Sequence, residues 1–240
     1  MGTQTEETRK KPARLPVSTG LLFELEKIAV PGQRLLFEAC RKVLKDKQVA
    51  LTPVLWSRYG LSAPLAQELG RLFATVDKKS LSADKLAHEI YDIFVREITR
   101  PAIKLNAVLN ALLVEAAKHN IKIGALSFLP AEQAQALLAH LGLQERVCLQ
   151  VMQKADMVAP TPDCWLMTCK AIGIPAYRCV VLAENAVACH AALEAGMRCI
   201  AVPDEFTAFQ DFGGADRVIE DLKELHFKDL QALLHSCAFR

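Results

Sequence analysis

The stretch Leu21-Leu22-Phe23-Glu24-Leu25-Glu26 decides how this chain is read. An apolar run followed by alternating acids predicts a buried strand whose carboxyl end carries Glu24 and Glu26 together in a loop. In an open α/β sheet ligands collect at that edge, so two acids there invite a functional reading beside the plainer one of a solvated strand end.

Outward from this strand, Pro31-Gly32 breaks the chain. Leu35, Leu36, Ala39, Val43 and Leu44 then recur at helical spacing from Arg34 to Lys45. Helical patterns follow at 62–73 and at 82–99, the latter opened by Ser82, so residues 33–98 read as an all-helical block. Pro101 closes it. A helix at 105–119 leads to a strand at 121–126, after which strands at 147–152, 179–183, 198–203 and 217–219 alternate with helices at 131–140, 162–171, 186–195 and 228–234. Cys179-Val180-Val181-Leu182-Ala183 is a continuous apolar run, the mark of a parallel strand covered on both faces. The fold expected is α/β: a Rossmann-like parallel sheet with helices on both faces and an all-helical insertion after the first strand.

The chain has 240 residues, 52% of them hydrophobic, and a net charge of +2. That is enough for one substantial core, and too mild a charge for a nucleic-acid face. No apolar stretch reaches the ~18 residues of a membrane span, and the N-terminus lacks the order of a secretory signal. A cytoplasmic setting is expected, with the eight cysteines reduced and mostly buried, since they form no CxxC pair. Residues 1–20, charged and poor in apolar side chains, read as a flexible arm. Trp56 and Tyr59 read as packing of the helical block, and Cys189 and His190, adjacent on a helix, as a core thiol and its neighbour.

Taken in order, five segments resemble the haloacid dehalogenase superfamily from Leu21 onward. Phe23-Glu24-Leu25-Glu26 stands where that family has Phe-Asp-x-Asp, and Ser127 follows a strand as the family's serine or threonine does. Ala159-Pro160-Thr161-Pro162-Asp163 is similar to Lys-Pro-x-Pro-Asp with its lysine gone, and Ala183-Glu184-Asn185 to Glu-Asp-Ser. Ala191-Ala192-Leu193-Glu194-Ala195-Gly196-Met197 is the most family-like run. The resemblance implies a core of residues 21–32 and 99–240 with a helical cap of residues 33–98 that shields the site from water.

It also implies roles. Glu24 and Glu26 stand at the nucleophile and acid/base stations, and Glu24, Glu26 and Glu184, with the backbone carbonyl of Glu26, are the candidate holders of a magnesium ion. Ser127 is a candidate phosphate ligand, and so is Lys154, as a substitute for the lysine missing at Ala159. A phosphoryl group brings negative charge to a carboxylate nucleophile, so a cation and a lysine are needed to offset the repulsion. Each Glu for Asp change adds a methylene and about an ångström of reach, and a misplacement of about 1 Å can cost on the order of 10²-fold. Together with the missing lysine, these departures favour a non-catalytic interaction or regulatory protein that keeps phosphate-ligand or magnesium binding. Its partner would be a protein or a phosphorylated small molecule, with neither nucleic acid nor membrane involved. The alternative is a weak or altered magnesium-dependent phosphatase working through Glu24.

Overall fold

The computed structural model of the chain describes residues 18–59, 63–152 and 159–237. Its strands β1 (Gly20–Glu24), β2 (Lys122–Ser127), β3 (Cys148–Val151), β4 (Cys179–Ala183), β5 (Arg198–Ala201) and β6 (Arg217–Val218) form one six-stranded sheet in the order β3-β2-β1-β4-β5-β6. Every pairing in it is parallel. Side chains alternate across a strand, so Leu21 and Phe23 enter one apolar cluster and Leu22 another on the opposite face. The same split separates Val180 and Leu182 from Val181 and Ala183. With both faces covered, the strand interiors are apolar throughout, which is what the continuous run at 179–183 encodes.

The helices are α1 (Gly32–Asp46), α2 (Pro53–Tyr59), α3 (Leu65–Thr75), α4 (Ala83–Ile98), α5 (Ala107–Lys118), α6 (Ala131–His140), α7 (Pro162–Ile172), α8 (Ala186–Glu194) and α9 (Phe227–Cys237). α7 and α8 cover one sheet face through Trp165, Cys169, Ala188 and Ala192, while α5, α6 and α9 cover the other through Leu109, Leu137 and Leu230. α1 to α4 pack mainly on one another. They also join the sheet's apolar cluster, where the Phe37 ring lies 5.1 Å from that of Phe206 in the loop after β5. Trp56 is buried against Phe37, in keeping with a packing role. Cys40, Cys164, Cys169, Cys179, Cys189 and Cys199 are buried free thiols, and Cys148 is an exposed one. No helix among the described residues is long and apolar enough to cross a membrane.

Two local expectations change. Thr19 is buried and Gly20 is already in β1, because hydrogen bonds such as Lys122 N–H to the Thr19 carbonyl (2.9 Å) extend the ladder to this end; residues 1–17 of the expected arm lie outside the described residues. The segment after Glu24 is a π-helical turn, Leu25–Ala29, instead of a loop. A turn widened by one residue puts Leu25, Ile28 and Ala29 into the core and leaves Glu26 and Lys27 at the sheet edge.

Gly32 is what lets α1 leave this turn. A Cβ there would lie 1.9 Å from the Glu26 carbonyl oxygen, a collision with backbone that no rotamer relieves. Gly32→Ala is therefore expected to destabilise the fold by about 3 kcal/mol or more, read as a lower midpoint in urea denaturation.

Candidate active site

β1, β2 and β4 end side by side, and each delivers one polar residue to the same edge. Glu24 ends β1 and is fully buried, Ser127 ends β2, and Glu184 follows β4 at 4% exposure. Glu26 comes from the π-helical turn. The fold thus gathers Glu24, Glu26, Ser127 and Glu184, four residues scattered over 160 positions of sequence, in one place. Lys154 lies outside the described residues.

Glu26 is held firmly. Its Oε1 accepts the Phe128 backbone N–H at 2.6 Å, and the Ser127 hydroxyl bonds to the same carboxyl group. Ser127 Oγ in turn accepts the Leu129 N–H at 3.2 Å. Ser127, the expected phosphate ligand, also positions Glu26. Burial, and then the charge of Glu24, push the Glu26 carboxyl above the ordinary carboxylate range even though the Phe128 N–H pulls the other way.

The residue that the sequence reading passed over is Lys27. Its Nζ stands 2.8 Å from Glu24 Oε1, and its side chain is only 13% exposed. Burial alone would lower its pKa; the carboxylates of Glu24, Glu184 and Glu26 outweigh that and hold it above its usual value. The signal was present as an acid and a lysine three residues apart in Glu24-Leu25-Glu26-Lys27, a spacing that meets on one face of a helical turn.

A fourth acid also went unnoticed. Asp204, in the loop after β5, accepts the Phe206 and Thr207 backbone N–H groups at 2.8 and 3.0 Å, and Thr207 Oγ1 lies 2.8 Å from the Glu184 carbonyl. Burial, then the Asp204 charge, raise the Glu184 carboxyl well above its ordinary value. Its only sequence sign was a position just past a strand end, after Pro203.

One ammonium thus faces several carboxylates, and the balance is visibly short of positive charge. Glu24 Oε2 and one oxygen each of Glu26 and Glu184 are buried with no hydrogen-bond donor aimed at them. Glu24 Oε1 is met by the Lys27 ammonium, which bonds to this carboxylate. Such orphaned oxygens suit a donor or a cation arriving with a ligand.

The magnesium expectation can be set against this geometry. The donor set of Glu24, Glu26 and Glu184 is all oxygen, as the ion prefers. Among the described residues, however, no three acid, histidine or cysteine side chains converge to hold a metal. The Glu26 carbonyl, the implied backbone ligand, is packed against Gly32. The arrangement as folded does not fit a resident divalent ion.

The helical block closes over this edge. Arg34 of α1 pairs with Glu205, Phe37 meets Phe206, and the Tyr91 hydroxyl of α4 reaches the Phe128 carbonyl at 3.5 Å. Tyr91 lies close enough to the site that its phenol is pushed up to about 12, by burial first and the charge of Glu26 second.

No protein-family model matches the chain. It is similar to Protein CbbY of Cereibacter sphaeroides, 30% identical over 136 residues, which are 55% of this chain and 59% of that protein's length. It is also similar to YhcW of Bacillus subtilis (strain 168), whose name assigns it provisionally to the phosphatases, at 24% identity over 90% of this chain and 97% of that one. In structure it resembles CbbY from Rhodobacter sphaeroides, solved in complex with phosphate, with a TM-score of 0.70 and 20% identity over 87% of this chain and 96% of that one. β-Phosphoglucomutase from Clostridium difficile gives 0.72 and 18% over 93% and 100%. The structural likenesses carry the fold. The expectation of a non-catalytic protein is corrected by the sequence relatives, since the one matched over nine-tenths of this chain is named, provisionally, as a phosphatase.

Proposed function

The chain belongs to the haloacid dehalogenase-like hydrolase superfamily, and on that premise we propose that it is a phosphatase, hydrolysing monoesters of phosphorylated small molecules through Glu24. The observation that carries the reading is the position of Glu24: buried at the end of a central strand, ion-paired to Lys27, with an oxygen bearing no hydrogen bond. The phosphatase and mutase names of its relatives support it.

In this reading a Glu24 oxygen attacks phosphorus, and the bond from phosphorus to the ester oxygen breaks as an acyl phosphate forms. Glu26, whose carboxyl keeps its proton to higher pH than usual, gives that proton to the departing alkoxide. Water then attacks the acyl phosphate, Glu26 takes a proton from it, and phosphate leaves as the Glu24 carboxylate is restored. Ser127 and the Phe128 N–H aim Glu26 throughout. Lys27 offsets charge on the phosphoryl oxygens, and the raised Glu184 carboxyl adds less negative charge than a full carboxylate would.

The test is a panel of phosphate monoesters offered to the purified full chain, with inorganic phosphate release as the readout and acid quench to trap an acyl phosphate. Turnover with a trapped acyl phosphate is the expected result. Absence of turnover across sugar phosphates, nucleotides and p-nitrophenyl phosphate would overturn it.

A further inference from the structure

We infer that Lys27 is the resident cation of this site, its ammonium standing among Glu24, Glu26 and Glu184 where a superfamily enzyme would hold a divalent ion, and that the chain carries out its phosphoryl chemistry without a metal. The catalytic half of this inference rests on the phosphatase reading; the cation assignment rests on geometry alone.

Four observations converge on it. The Lys27 side chain is 13% exposed and its ammonium lies 2.8 Å from Glu24 Oε1, so an ion at that carboxylate would meet a positive charge already in place. The π-helical turn fixes Lys27 three residues from Glu24, which makes the pair a local product of the backbone. No three acid, histidine or cysteine side chains among the described residues converge on a metal. The Glu26 carbonyl, the remaining ligand a metal would need, packs against Gly32.

The Glu for Asp changes then acquire a physical sense. Magnesium demands near-octahedral oxygens at about 2.0–2.1 Å, which short, stiff aspartates supply. An ammonium pairs with oxygens at longer distance and in looser geometry, and the longer glutamate reaches it. One side chain also answers two absences, because a lysine at position 27 brings back near the reacting phosphorus the positive charge missing at Ala159. Lys27 is a point charge on a flexible stem, so it can follow phosphoryl oxygens as charge develops on them.

The experiment is metal binding by the full chain, followed by the electron paramagnetic resonance of Mn²⁺ and by thermal denaturation with Mg²⁺ or with a chelator. Wild type, Lys27→Met, Lys27→Arg and Glu184→Gln would be compared. Wild type and Lys27→Arg are expected to leave Mn²⁺ free and to melt at the same temperature in Mg²⁺ and in chelator. Lys27→Met is expected to bind Mn²⁺ about 10-fold or more tightly than wild type and to gain melting temperature in Mg²⁺. Should Lys27→Met fold only when the ion is present, that is the same result in a stronger form; should it not fold at all, wild type and Lys27→Arg decide. Mn²⁺ binding by wild type that Glu184→Gln weakens overturns the inference, as does a folded Lys27→Met that gains no affinity. A chain that binds no ion and also releases no phosphate keeps the cation assignment and removes the phosphatase reading, so the two failures are told apart.

Discussion

Glu24→Gln is expected to lower phosphate release by about 10³-fold or more for every ester the chain accepts, because an amide cannot attack phosphorus. Glu26→Gln should behave differently. Its loss removes a proton donor, an effect of about 10²- to 10⁴-fold when the leaving group is a poor one such as a sugar alkoxide. p-Nitrophenolate leaves without a proton, so the same variant should lose far less on p-nitrophenyl phosphate. The measurement is kcat for both esters with both variants, and circular dichroism confirms that each is folded. An equal loss in Glu26→Gln on the two esters would remove Glu26 from the proton-transfer role. Turnover retained in Glu24→Gln would remove Glu24 as nucleophile and leave hydrolysis by an activated water.

How much of this could be read from residues alone differs between scaffold and site, for physical reasons. The strands at 21–24, 122–127 and 179–183 are legible because a parallel strand covered on both faces must be apolar nearly throughout, and little else in a short segment has that composition. Glu24, Glu26 and Glu184 are legible because they interrupt or end those runs. The π-helical turn is not, since its hydrogen-bond pattern depends on how α1 departs from the sheet and on the close approach that Gly32 allows. Lys27 was hidden for the same reason: a lysine after a strand end reads as solvated until the turn's shape puts it under the carboxylates. Asp204 and Tyr91 reach the site only through tertiary packing, from segments whose local pattern carries no sign of it. Ser127 is legible as a strand end, but its bond to the Glu26 carboxyl is not, because sequence gives the strand end and not the neighbour its hydroxyl will choose.

The second large effect concerns stability. Lys27→Met should cost about 3–5 kcal/mol near pH 8, the usual penalty for removing one partner of a buried ion pair and leaving the other uncompensated. The cost should shrink as the solution is made acidic. Glu26 and Glu184 have folded pKa values above the ordinary 4.5, so between 4.5 and those values the folded chain holds protons that the unfolded chain has released. Stability therefore falls as pH rises through that window, already in wild type. Lys27 works in the opposite sense: its folded pKa lies above the ordinary 10.5, so its contribution is complete below 10.5 and is lost only as pH climbs through the folded value. Lys27 thus stays charged while pH rises through the folded values of the acids around it, and its removal leaves those acids to repel one another. Urea denaturation of wild type and Lys27→Met at about pH 5 and about pH 8 would show the variant's deficit widening with pH. Adding Glu24→Gln to Lys27→Met should recover much of the loss at the higher pH, since the carboxylate left unpaired would be gone. A deficit that is the same at both pH values, or no recovery in the double variant, would mean that Lys27 stabilises the fold through the packing of its stem and that the surrounding carboxylates find their compensation elsewhere.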